Sequence, residues 1–284
     1  MEGIKETLLD AFINAALRED VKDGDHTSLA CINSDSTDTA KLLIKDEGVI
    51  AGIDFAEVVF KKLDPECTFN RMLNDGAEVQ FGDIAFEVTS GSQILLKGER
   101  LVLNTMQRLS GVSTMSRQFS NIVKDLPVTI LDTRKTTPLM RFLEKWAVRI
   151  GGCSNYRDGL YDWIMIKDNH VDACGGIAKA IKRVNAYLKE NNKDLGITVE
   201  VRNLEELNQV LEEGDVTRIM LDNFELETLH KAVKIIDKKF ESEASGGVNL
   251  KTVRAIAESG VDFISVGALT HSAGSLDMSL KMKL

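Results

Sequence analysis

The sequence predicts an α/β protein in two parts: an N-terminal α+β domain, then a (β/α) barrel with parallel strands. Three observations support this. After residue 128, short apolar runs alternate with amphipathic helical patterns, which marks βα units and a parallel sheet. Polar, charged and glycine residues follow those runs, where a barrel keeps its catalytic face. Before residue 112, short strand-like runs are instead punctuated by Asp75-Gly76 and Gly82-Asp83, which favours antiparallel pairing. At 284 residues the chain exceeds one ordinary domain and can bury a sizeable core. The expected domains are 1–112 and 113–284, with the C-terminal residues returning to the first.

In order, residues 2–19 place Ile4, Leu8, Leu9, Phe12, Ile13, Ala16 and Leu17 at helical spacing. Residues 20–27 read as a polar loop, 41–44 and 49–51 as strands, and 55–63 as a helix. Strands are expected at 68–73, 77–81 and 84–88, then helices at 95–106 and 112–123. From residue 128 the pattern becomes strand and helix. Strands fall at 128–131, 163–166, 197–201, 218–221, 240–244 and 263–266. Helices fall at 138–149 (opened by Pro138), 177–188, 204–211, 225–236 and 250–259.

A net charge of −9 argues against non-specific binding to nucleic acid or to anionic membranes. Local cationic clusters are therefore informative. Cys31, Cys67, Cys153 and Cys174 are scattered and form no CxxC pair, so neither a disulfide framework nor a zinc site is indicated. A reducing cytoplasmic compartment fits that usage. No signal-peptide pattern opens the sequence, and no apolar run approaches the ~18 residues of a membrane helix.

Residues 128–170 carry the chemistry. Thr133, Arg134 and Lys135 end one strand, Lys167 ends the next, and Tyr156 and Arg157 stand on the loop between. Four cations delivered to one end of a sheet suit a multiply anionic ligand. Glu200 and Asp222 end the next two strands. Each could cap a helix, but opposite a cationic cluster they read better as ligands for Mg²⁺ or ribose hydroxyls. Ser245-Gly246-Gly247 and Gly267-Ala268 follow the last two strands, where exposed backbone N–H groups can hold a phosphate. His271 is either a phosphate-side donor or structural. His170 reads as a hydrogen-bonding spacer, with no catalytic role.

The segments DTRKTTP, LEKWAVRIGG, NYRDGL and IMIKDNH, followed in order by LDN, SGG and SVGALTHS, resemble the quinolinate phosphoribosyltransferases of NAD biosynthesis. The resemblance covers nearly the whole chain. It implies an open, incomplete seven-stranded barrel with an N-terminal α+β sandwich, of which six strands are visible above. It also implies a homodimer in which Arg100, within GERLVLNTMQRLSGVST, reaches the neighbouring subunit's site and holds a substrate carboxylate. The implied reaction joins quinolinate to phosphoribosyl pyrophosphate with Mg²⁺, releasing pyrophosphate and CO2 and leaving nicotinate mononucleotide. On that basis Arg100, Arg134 and Arg157 bind the dianion, Lys135 and Lys167 neutralise pyrophosphate, and Glu200 and Asp222 support the ribosyl cation. Two departures stand out. Tyr156 replaces the usual histidine, offering one hydrogen bond without charge, and Leu139 stands where glycine often follows the proline. Rival readings are a Schiff-base aldolase using Lys167, a molybdate-transport relative, a non-catalytic nucleotide-binding relative, and an ATP-coupled nicotinate phosphoribosyltransferase.

Overall fold

The computed structural model describes residues 1 and 3–283. Glu2, at the start of the first expected helix, lies outside the described residues, as does Leu284. The chain divides into two compact units, Met1–Arg117 with Thr137–Gly152 and Ser272–Leu284, and Gln118–Thr136 with Cys153–His271. The division is interleaved: the sequence suggested a boundary after residue 112 and a return of the C-terminal residues, but not that Thr137–Gly152 groups with the first unit.

In the first unit the strands are β1 (Thr37–Ile44), β2 (Gly48–Val49), β3 (Thr68–Arg71), β4 (Glu78–Val79) and β5 (Ile84–Gly91). β1, β5 and β3 form an antiparallel sheet whose other edge is the strand Met278–Met282, paired with β1; β2 pairs with β4. Alternation along β1 buries Ala40, Leu42 and Ile44 completely. The helix Ile53–Leu63 contributes fully buried Phe55 and Phe60, and the Phe60 and Phe86 rings meet edge to face at 6.5 Å.

Three local expectations change here. The polar loop ends in a short helix, His26–Cys31, because Asp25 caps it by accepting the Ser28 N–H at 3.1 Å. The two helices expected at 95–106 and 112–123 are one, Ser92–Val123. Gly111 does not break it; a side chain there would meet the Gly274 carbonyl oxygen at 1.7 Å, so glycine serves close packing. The helix after Pro138 begins only at Arg141, and belongs to the first unit. Leu139 precedes it at φ 64 with its side chain 86% exposed, which explains why glycine suits that position.

The second unit holds β6 (Thr129–Leu131), β7 (Ile164–Ile166), β8 (Ile197–Val201), β9 (Arg218–Asp222), β10 (Glu241–Ser245) and β11 (Phe263–Ser265). All pair in parallel in the order β6-β11-β10-β9-β8-β7. A seventh position exists as one parallel bridge, Ser154 to Leu131, on the outer side of β6. Cys-Ser-Asn-Tyr carries no apolar run, so this strand is invisible to hydrophobic patterning. The sheet curls: the Tyr156 hydroxyl, just past the bridge, lies 2.6 Å from Thr198 Oγ1 on β8, near the opposite edge. Flat, six strands at ~4.8 Å spacing would hold those atoms more than 20 Å apart. The second unit is thus an open barrel whose seam lies between Ser154 and β7.

Candidate active site

The carboxyl ends of all six strands line one cavity of ≈ 690 Å³. It gathers Thr133, Arg134, Lys135, Tyr156, Arg157, Lys167, Glu200, Asp222, Ser245, Gly246, Gly247, Gly267, Ala268 and His271. Every residue expected at the site is therefore together except Arg100. That residue lies on the helix Ser92–Val123 in the first unit, its side chain 65% exposed and 3.9 Å from Glu99. Met165, Met220, Asn223, Val248 and Ser265 also line the cavity and were not anticipated.

β6 delivers the first cations. Beyond Leu131, the completely buried Asp132 accepts the Tyr156 N–H at 2.8 Å and the Asn155 side-chain amide at 2.6 Å, which ties the seam segment to the strand end. Thr133 Oγ1 accepts the Lys135 N–H at 3.1 Å, and the Thr270 hydroxyl donates to the Lys135 carbonyl at 2.8 Å. The Lys135 backbone is thereby fixed while its side chain stays exposed. Arg134 Nε is buried and makes no hydrogen bond among the described residues. Arg157 is half-buried, and among the described residues its hydrogen bonds go to Trp163 O at 3.2 Å and Met165 Sδ at 3.6 Å. Burial and the neighbouring Arg134 cation push its pKa below the ordinary arginine value. A buried donor without a partner and a crowded second guanidinium are costly unless an anion completes them.

On the opposite wall Lys167 Nζ pairs with Glu200 Oε2 at 2.9 Å. His170 Nδ1 accepts the Lys167 N–H at 2.9 Å, the cap of the unanticipated helix Asp168–Cys174. Asp222 accepts from Ser245 Oγ at 2.6 Å and from Asn223 Nδ2 at 2.7 Å. Gly246 has φ 92, and a side chain there would strike the Asn223 carboxamide at 2.2 Å. Asn223 itself sits at φ 55, so the SGG and LDN turns interlock. His271 leans over the Gly267 turn, its Nε2 lying 3.0 Å from where a β-carbon would stand.

The expected metal ligands Glu200 and Asp222 both face the cavity, but the described residues include no cluster of three or more metal-binding side chains. That donor set suits Mg²⁺, which is commonly held by one or two carboxylates and completed by substrate phosphate oxygens and water. Tyr156 lines the cavity, with its hydroxyl turned to buried strand residues. Its hydroxyl faces Thr198 and Glu243, and burial together with the Glu243 charge pushes its pKa above the ordinary tyrosine value. The Cys153 thiol, pushed up to about 12 by burial and by Asp132, is no nucleophile.

The chain matches the C-terminal domain model of quinolinate phosphoribosyl transferase over residues 112–281 and the N-terminal domain model over residues 25–110. "Quinolinate phosphoribosyltransferase (decarboxylating) 1b" of Nicotiana tabacum is 43% identical over 289 residues, covering 96% of this chain and 82% of its own length. The "probable nicotinate-nucleotide pyrophosphorylase (carboxylating)" of Bacillus subtilis is 40% identical over 277 residues, with 97% and 94% covered. The crystal structure of NadC from Streptococcus pyogenes superimposes with a TM-score of 0.93 at 36% identity, covering 100% of this chain and 99% of that one. No helix among the described residues is long and apolar enough to cross a membrane. The chain is an enzyme that belongs to the quinolinate phosphoribosyltransferase family.

Proposed function

We propose that the strand-end cavity carries out the family reaction, converting quinolinate and phosphoribosyl pyrophosphate to nicotinate mononucleotide, pyrophosphate and CO2 in NAD biosynthesis. The observation that carries this reading is the paired guanidinium site, Arg134 with an orphaned buried Nε beside the poorly partnered Arg157. Two such groups match the two adjacent carboxylates of quinolinate. The SGG turn and Gly267-Ala268 lie across the cavity from β7 and hold the 5′-phosphate, with His271 beside them. Glu200 and Asp222 flank the ribose. As the ring nitrogen bonds to the anomeric carbon, the bond to pyrophosphate breaks, and both carboxylates face the oxocarbenium charge that develops. Lys135 and Lys167 neutralise the departing pyrophosphate. When bound by Glu200, Asp222 and pyrophosphate oxygens, Mg²⁺ would supply further charge neutralisation. The ribosylated ring nitrogen is cationic, so the electron pair left at C2 when CO2 departs is stabilised within the substrate until C2 takes a proton from water. Arg134 and Arg157 then have only to orient it.

Arg100 supplies a further guanidinium from a second copy of the chain, in a two-fold homodimer where each subunit completes the other's cavity. Its exposed side chain supports this. Four free cysteines support a cytoplasmic, reducing setting. Purified protein given phosphoribosyl pyrophosphate and Mg²⁺ is expected to turn over quinolinate and to use nicotinate poorly, because nicotinate leaves one guanidinium without its carboxylate. Comparable turnover of nicotinate by mass-spectrometric assay would overturn the assignment.

A further inference from the structure

The seam of the barrel contains more polar structure than the reaction requires. The segment carrying Tyr156 and Arg157 is joined to β6 by a single bridge at Ser154 and by the bonds to Asp132. Arg157 itself is weakly anchored, so its direction depends on the residue before it. Tyr156 crosses the seam. Its hydroxyl lies 2.6 Å from Thr198 Oγ1, which is completely buried and also accepts Trp163 Nε1–H at 2.8 Å. The same phenol lies beside Glu243, completely buried on β10. Ser265 Oγ donates to Glu243, and Arg218 Nη1 does so at 3.2 Å.

The donor inventory orients one end of this chain. Indole N–H can only donate, so Thr198 accepts from Trp163, and the Thr198 and Tyr156 hydroxyls share a further hydrogen bond that either can donate. The Tyr156 hydroxyl is thus tied to a buried partner inside the barrel. We propose that Thr198 and Glu243 are positioning residues for the reaction, locking Tyr156 across the open seam so that Arg157 meets a carboxylate of quinolinate. The proposal rests on the cavity reading above and concerns how its quinolinate side is built. The phosphate side stands on the turns that follow β10 and β11, beyond the strand residues Glu243 and Ser265 that belong to this network.

Thr198→Val keeps the shape and removes the hydroxyl. It is expected to raise KM for quinolinate by about 3- to 10-fold, leaving kcat and KM for phosphoribosyl pyrophosphate within about twofold of wild type. Thr198→Ser restores the hydroxyl and should restore KM. Gly196→Ala provides an independent route, since a β-carbon there would lie 2.3 Å from the Trp163 ring and push the indole off Thr198. It should show the same split. Calorimetry with benzene-1,2-dicarboxylate, a dianion of matching shape that lacks the ring nitrogen, reads the same loss without turnover. Unchanged quinolinate KM in both variants, or an equal loss for both substrates, would reject the positioning role. Wild-type protein that binds neither dicarboxylate would instead reject the cavity reading itself.

Discussion

Lys135→Ala chains are expected to be nearly inactive, and mixing them with equally inactive Arg100→Ala chains is expected to return about a quarter of wild-type activity. Truncating a charge that meets a desolvated anion costs roughly 2–5 kcal/mol, about 30- to several-thousand-fold. Lys135 lines the cavity with its backbone pinned by Thr133 and Thr270, so alanine removes the ammonium without releasing the strand end. Arg100 is exposed on the helix Ser92–Val123 of the first unit. If it serves the neighbouring subunit's cavity, a mixed dimer has one site with both lesions and one with neither. Random exchange makes about half the dimers mixed, which yields the quarter. If Arg100 acts within its own chain, every site carries one lesion, and no activity returns after verified subunit exchange.

Arg218→Ala is expected to destabilise the barrel by about 3–5 kcal/mol, because it leaves Glu243 buried and charged without its partner. Arg218 is 6% exposed and Glu243 fully buried, while the second partner, Glu241, is partly in solvent and contributes little. The guanidinium also lies 3.7 Å from the Phe263 ring centroid and 5.1 Å from that of Tyr156, contacts that alanine loses. The deficit should depend on pH. Burial already pushes Glu243 above its ordinary value of 4.5, opposed by Ser265, Arg218 and Tyr156. A carboxyl with a raised folded pKa binds more protons folded than unfolded, so stability falls as pH rises from the ordinary value through the raised one. Removing Arg218 raises it further. Thermal unfolding should therefore show a larger loss near about pH 8 than near about pH 5. A loss below about 1 kcal/mol, or one equal at both pH values, would mean the pair is not the buried contact described.

Much of this was legible in the sequence, for physical reasons. Five of the six barrel strands are short, mostly apolar runs with a charge or glycine at or just past their ends, while β10, Glu-Ser-Glu-Ala-Ser, follows from its place in the alternation. The seventh could not be read, because a single bridge needs no apolar run. Residues 138–149 look like a barrel helix by order alone. Yet the helix Arg141–Ile150 buries Glu144 and Lys145 as well as its apolar face, and it packs in the first unit. Periodicity carries no information about such a partner. The direction of the Tyr156 hydroxyl was equally hidden, since it depends on Thr198 and Glu243, distant in sequence and on strands that read as ordinary core. Asn223 was overlooked although LDN was noted, because its role comes from interlocking with Gly246.

The most direct test is a single-pot assay with quinolinate labelled in its 2-carboxylate, phosphoribosyl pyrophosphate and Mg²⁺. Nicotinate mononucleotide, pyrophosphate and labelled CO2 should appear in equal amounts, with Lys135→Ala protein forming almost none of the three. Nucleotide that keeps the label, or pyrophosphate release without CO2, would contradict the chemistry assigned to this cavity.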